Sequence, residues 1–180
     1  MKITISGKAG SGKSTVAKLL SEELRLNHFS IGDLMRQMAI DKGMSLLELN
    51  KKAEKDSSID FELDNRLRKL GKSKDNFVVD GRLTAFFIPT ADVKVFLDAD
   101  ENIRARRILK HKRQHEKSKD LNETINNIKK RELSEKKRYK KYYGADYCDK
   151  KLYNYIVDTT NLTPKQVVKK IIKFVNKVKK

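Results

Sequence analysis

Residues Gly7-Lys8-Ala9-Gly10-Ser11-Gly12-Lys13-Ser14 spell G-x-x-x-x-G-K-[ST], and Thr15 follows directly. Lys2–Ser6 before them is β-branched and apolar enough for a buried strand. Behind them, Val16, Leu19, Leu20 and Leu24 recur at helical spacing and give the next segment one core face. Strand, glycine-rich turn and helix together make a cradle for phosphate. Backbone N–H groups surround the anion, and the helix N-terminus adds partial positive charge. Lys13 reaches the terminal phosphates, and the Ser14 hydroxyl suits a Mg²⁺ ion.

Outward from this loop, strand-like and helical segments alternate. Asn27–Ser30, Asn76–Asp80, Ala91–Leu97 and Tyr153–Asp158 read as four further strands. Helices are predicted at about 33–42, 45–55, 59–70, 101–110, 122–142 and 163–178. Ser45-x-x-Glu48 is a capping box, and Pro164 stands at a first helical position. Gly71–Asp75 reads as a turn, and His111–Leu121 as a polar, mobile stretch. This order predicts an α/β fold: a parallel five-stranded sheet covered by helices on both faces.

The 180 residues suit one domain. Forty-two basic against 24 acidic residues leave a net charge of +18, which favours anionic partners. Lysine is spread along the whole chain, with denser runs at 108–119, 129–141 and 165–180. Cys148 is the single cysteine, so an intrachain disulfide and a four-cysteine metal site are excluded. The expected setting is a reducing cytoplasm. The chain opens on a core strand, so no signal peptide is expected, and no apolar run is long enough to span a membrane.

In parallel sheets ligands bind at the carboxyl ends of the strands. Three polar constellations are expected at that edge: the loop itself, Ser30-Ile31-Gly32-Asp33 with Arg36, and Asp80-Gly81-Arg82. Asp80 suits a Mg²⁺ shell shared with Ser14. Arg36 and Arg82 suit a second phosphate, since arginine grips phosphate bidentately. A loop for one polyphosphate and arginines for another anion are the layout of a kinase with a phosphorylated acceptor. Arg104, Arg131 and Arg138 form a later set. Arg131 and Arg138 are seven apart on one predicted helix, with Glu135 between them, and are read as mobile groups that close over the transferred phosphoryl. His111 and His115 read as coincidence rather than a metal pair. Asp60 and Asp64, with Arg68 a turn on, read as a solvated ion-pair ladder. The tyrosines of the last third read mainly as packing for the long helix.

With these motifs in place, the chain resembles the nucleoside monophosphate kinases of the P-loop NTPase type, and within them the short, archaeal-type cytidylate kinases. The resemblance rests on Gly7–Thr15, Ser30-x-Gly32-Asp33-x-x-Arg36, Gly81-Arg82-Leu83, Arg104-Ala105-x-Arg107 and Arg131-Glu132-x-Ser134-Glu135-x-x-Arg138-Tyr139. It implies ATP-dependent phosphorylation of CMP or dCMP, with Mg²⁺, in a monomer that needs neither membrane nor nucleic acid. It implies a core of 1–32, 71–107 and 143–180, a monophosphate-binding segment at about 33–70 and a lid at about 108–130. Gly7, Lys8, Ala9, Gly10, Ser11, Gly12, Lys13, Ser14 and Thr15 would bind ATP, with Thr159-Thr160-Asn161 near its base. Asp33, Arg36, Asp80 and Arg82 would serve the acceptor, Ser14 and Asp80 the metal, and Lys13, Arg104, Arg131 and Arg138 the transfer. Long bacterial cytidylate kinases carry an acid after the Gly-Arg pair that helps read cytosine. Leu83 stands there, as in the short pattern. Another small P-loop kinase (adenylate, uridylate or dephospho-coenzyme A) and a basic RNA-binding protein are the alternative readings.

Overall fold

The computed structural model describes residues 1–73, 76–110, 118 and 120–178. Strand β1 (Lys2–Gly7) leads through the loop into α1 (Lys13–Leu24), then β2 (Asn27–Ser30). Three helices follow: α2 (Ile31–Asp41), α3 (Leu46–Ala53) and α4 (Ser58–Lys72). Then come β3 (Phe77–Asp80), the one-turn α5 (Thr84–Phe87), β4 (Val93–Asp98), α6 (Glu101–Lys110), the long α7 (Leu121–Tyr143), β5 (Tyr155–Asp158) and α8 (Pro164–Val178).

The sheet runs β2-β3-β1-β4-β5 with every pairing parallel, as the alternation predicts. The chain leaves β1 toward β2 at one edge, whereas it leaves β3 toward β4 on the opposite side. Connections from adjacent strands that diverge in this way open a crevice at their carboxyl ends. Register does the rest. Asp80 pairs with Ile5 and with Ser30, so the ends of β1, β2 and β3 fall in one row.

One sheet face is covered by α1 and α8. Val16, Ala17 and Leu20 meet Val167, Val168, Ile171 and Val175 over Ile3, Ile5 and Val95. The other face packs Phe77, Val79 and Phe96 against Leu67, Phe87 and Tyr139. Helices α2, α3 and α4 have a cluster of their own around Met35, Ala39, Leu49 and Leu63. A small fourth cluster joins Ala9 of the loop to Ala105, Ile108 and Ile128.

Most predicted elements stand within a few residues of their positions. α2 starts earlier than expected because Ser30 Oγ caps it by accepting from Asp33 N. α4 runs on through Gly71, where a turn is expected, and the α5 turn is too short to show a helical period. The tyrosines pack as anticipated: Tyr139 sits edge-on to Tyr147, and Tyr143 edge-on to Phe87. Tyr155 departs from this pattern by stacking on Phe174, on the α8 side. The predicted pair His111 and His115, and nearly all of the basic stretch 111–119, lie outside the described residues.

Candidate active site

Between β1 and α1 the backbone takes turns that L side chains resist. Gly10 and Gly12 have φ of 76° and 92°. A Cβ on Gly10 would sit 2.4 Å from the Arg104 carbonyl oxygen, so the loop can lie against α6 only as glycine. No side chain caps the start of α1, so its first N–H groups are left for an anion. Lys13 Nζ donates to Lys8 O at 2.7 Å, an intraloop contact that curls the side chain over the cradle. Burial lowers the Lys13 pKa well below the usual lysine range, and the Arg82 charge adds to this. A phosphate would relieve both effects.

Ser14 Oγ donates to the buried Asp80 carboxylate at 2.7 Å. Asp80 also meets His28 Nε2 at 2.9 Å and accepts from Ser30 Oγ at 3.3 Å. Among the described residues no group of three or more His, Cys, Asp or Glu could hold a metal alone. Mg²⁺ does not need one, since it binds through one or two protein oxygens plus phosphate. Ser14 and Asp80, already in contact beside the loop, fit that donor set.

Arg82 is buried beside the loop. Its Nε donates to Glu135 Oε2 and its Nη1 to Gly7 O, both at 2.6 Å. Among the described residues the buried Nη2 has no hydrogen-bond partner. Burial works against the guanidinium charge, but the Glu135 carboxylate outweighs it and raises the Arg82 pKa. Burial likewise opposes the charge on Glu135, and Arg82 and Arg131 overcome it, holding that carboxyl at about 2. Arg131 Nε donates to the second Glu135 oxygen at 2.9 Å. One carboxylate thus spreads two guanidiniums over a cavity that also meets Lys13, Ser14, Arg36 and Asp80. Its free volume is about 90 Å³.

On the other side of the loop, a cavity of about 330 Å³ is walled by Gly10–Gly12, Thr15, Arg107 and Thr159. Arg107 donates to Thr159 O at 2.7 Å, and Thr159 Oγ1 donates to Ser11 O at 3.0 Å, so β5 and α6 brace the loop there. A larger cavity, about 650 Å³, opens between α2–α3 and α7. Among the described residues its lining meets the loop at Ala9, whereas Lys13, Ser14, Asp80 and Arg82 line the space of about 90 Å³ instead.

The structure brings Lys13, Ser14, Arg36, Asp80, Arg82 and Arg131 together. Asp33 stays largely outside, holding the Arg36 guanidinium rather than lining the cavity. Arg104 donates to Ala9 O at 3.0 Å and to Glu132 at 2.7 Å, so it braces the loop. Arg138 overturns the sequence expectation. It does not line the cavity, and it is 1% exposed. Its Nε donates to Asp60 at 2.8 Å and its Nη1 to Asn50 O at 2.7 Å, which ties α7 to α3 and α4. A guanidinium so held is a structural tie, not a mobile clamp. The Asp60–Asp64–Arg68 ladder is also corrected. Both acids are buried, Asp60 pairs with Arg138, and Arg68 lies over the Phe87 ring. Sequence reasoning gave no role to His28, Glu132 or the buried position of Glu135. Only the charge sandwich Arg131-x-x-x-Glu135-x-x-Arg138 hinted at the last.

Arg138→Met is expected to leave the Asp60 carboxyl buried and unpaired. That costs about 3–5 kcal/mol, read as a lower urea midpoint. Adding Asp60→Leu should restore most of the loss. A single variant as stable as the parent would disprove the tie.

Comparison with known proteins agrees with this geometry. The Cytidylate kinase-like family model matches residues 2–161. The chain belongs to that family. It is 43% identical over 165 residues to a cytidylate kinase of Natronomonas pharaonis, covering 91% of this chain and 83% of that protein. A cytidylate kinase of Archaeoglobus fulgidus is 39% identical over 175 residues, covering 97% and 94%. Among solved structures, shikimate kinase from Acinetobacter baumannii superposes with a TM-score of 0.65 at 15% identity, covering 98% of this chain and 93% of that one. At that identity the likeness speaks for the fold alone, a P-loop kinase core.

Proposed function

We propose that the protein transfers the γ-phosphoryl group of ATP to the phosphate of CMP or dCMP. The observation that carries this reading is the placement of Arg82. A buried guanidinium whose Nη2 has no partner among the described residues shares a cavity with Lys13 and Ser14 of the phosphate loop. A hydrolase needs one anion site there, whereas a kinase for a phosphorylated acceptor needs two, facing each other.

In this reading the loop amides and Lys13 hold the β- and γ-phosphates, and the Arg107–Thr159 side takes the ATP nucleoside. Arg36 and Arg82 hold the acceptor phosphate with an oxygen in line with the γ-phosphorus. Lys13 and Arg131 stabilise charge on the transferred group, while Arg104 and Glu132 keep the loop in register. Mg²⁺, when bound by Ser14 and Asp80, neutralises charge on the phosphate oxygens. The segment at about 33–70 serves as the acceptor-side wall and that at about 108–130 as the lid. A cavity of about 90 Å³ is small beside the ~300–1,000 Å³ of typical ligand sites, so the α2–α4 wall opens to admit a nucleoside.

A coupled ADP-release assay with CMP, dCMP, UMP, AMP and dephospho-coenzyme A tests the assignment. Preference for CMP or dCMP is expected, and preference for any other acceptor would overturn it. No helix among the described residues is long and apolar enough to cross a membrane.

A further inference from the structure

Helix α4 turns Asp60, Leu63, Asp64 and Leu67 toward the acceptor cavity, at the i, i+3, i+4, i+7 spacing of one helix face. Lys13, Arg36, Arg82 and Arg131 supply that cavity with positive charge for phosphate. Two carboxylates would repel a phosphate, so the α4 side faces the part of the ligand that carries N–H or O–H donors. The two acids are not equivalent. Asp60 is engaged by Arg138 through Nε at 2.8 Å and Nη2 at 3.4 Å. Asp64 accepts from the Tyr143 hydroxyl on Oδ2, and among the described residues nothing donates to its Oδ1. Arg68, one turn along, is turned away over Phe87 at 4.5 Å and pairs with neither acid.

We propose that Asp64 selects the acceptor base by accepting a hydrogen bond on Oδ1 from the exocyclic amine of an amino-pyrimidine. This deepens the proposed function and rests on it. Three further observations support the assignment. First, Leu83 stands beside the phosphate-gripping Arg82 and offers no polar group, so base reading must come from another element. Second, Leu67, Leu83 and Tyr139 line the same cavity and offer apolar and aromatic walls for a flat ring. Third, burial, with Asp60 adding to it, pushes the Asp64 carboxyl up to about 7. That is the mark of an acid short of donors, which an amine N–H would supply. Uracil places an oxygen where cytosine has the amine, and an oxygen cannot donate. A site built around an amine discriminates because the wrong base leaves a buried acceptor unserved.

Asp64→Asn tests this with steady-state kinetics on CMP, dCMP and UMP. The amide keeps the shape but can turn its N–H₂ toward the uracil oxygen. The kcat/KM for CMP and dCMP should fall roughly 10–100-fold while that for UMP holds or rises, with KM for ATP within about twofold. The melting temperature should rise, since the variant removes a desolvated carboxylate; this separates lost recognition from lost folding. A CMP-to-UMP ratio within about twofold of the parent's overturns the proposal, whatever the absolute rates. Parallel losses on all three nucleotides would assign Asp64 to the ribose or to packing, and overturn it too. A parent enzyme that prefers CMP beside an Asp64→Asn variant with the same preference sinks only this role. A parent that ignores CMP sinks the proposed function as well.

Discussion

Lys13→Ala should lower kcat by about three orders of magnitude and leave the fold standing. Removing one preorganised charge from a transition state of this kind costs roughly 10²–10³-fold even for a neutral donor. Lys13 sits in a desolvated position beside Arg82 and Arg131, where phosphate charge would favour its ammonium form. Among the described residues its ammonium bonds to Lys8 O within the same loop, so no hydrogen bond between elements is lost there. Burial and the two arginines disfavour its charge, so melting without nucleotide should be unchanged or slightly raised. Turnover within tenfold of the parent at saturating ATP would remove Lys13 from the mechanism.

Arg82→Ala should act on binding and folding together. The guanidinium ties the phosphate loop to α7, through Gly7 O on one side and Glu135 on the other. Its removal leaves the Glu135 carboxylate buried with Arg131 as its remaining hydrogen-bonded partner. The cost is about 3–5 kcal/mol, and at ~2–4 °C per kcal/mol the melting temperature should drop by about 10 °C. The pH dependence fixes the cause. Glu135 is held at about 2 against an ordinary 4.5, so it stabilises the parent above 4.5, and that stability is lost as pH falls toward 2. The gap between parent and variant should therefore be widest near neutrality and narrow below pH ~4.5. Arg82→Lys keeps the charge without the fork and serves as the folded control for kinetics. It should raise KM for the monophosphate by ~10-fold or more, with little change for ATP. Equal effects on both substrates would place Arg82 away from the acceptor.

Local chemistry made much of this protein readable in one dimension. The loop Gly7–Ser14 is a contiguous device: glycines, lysine and serine act within eight residues, so no distant contact is needed to recognise it. The sheet followed from β/α alternation, and the row of strand ends from the parallel order that alternation forces. Asp80 and Arg82 could be picked out because they sit where a strand must stop.

Tertiary packing decided which charges do chemistry and which hold the molecule together. Arg131 and Arg138 share a helix face in sequence, yet seven residues of helix rise about 10 Å. Over that distance the surroundings of α7 change from the phosphate loop to the underside of α3 and α4, so one arginine meets the cavity and the other meets Asp60. Asp60 and Asp64 look solvated in isolation, yet both are buried once Arg138 and Tyr143 of α7 bond to them. Burial, more than residue type or spacing, separates a surface ion pair from a structural tie or a base-reading carboxyl, and burial exists only once distant segments have met.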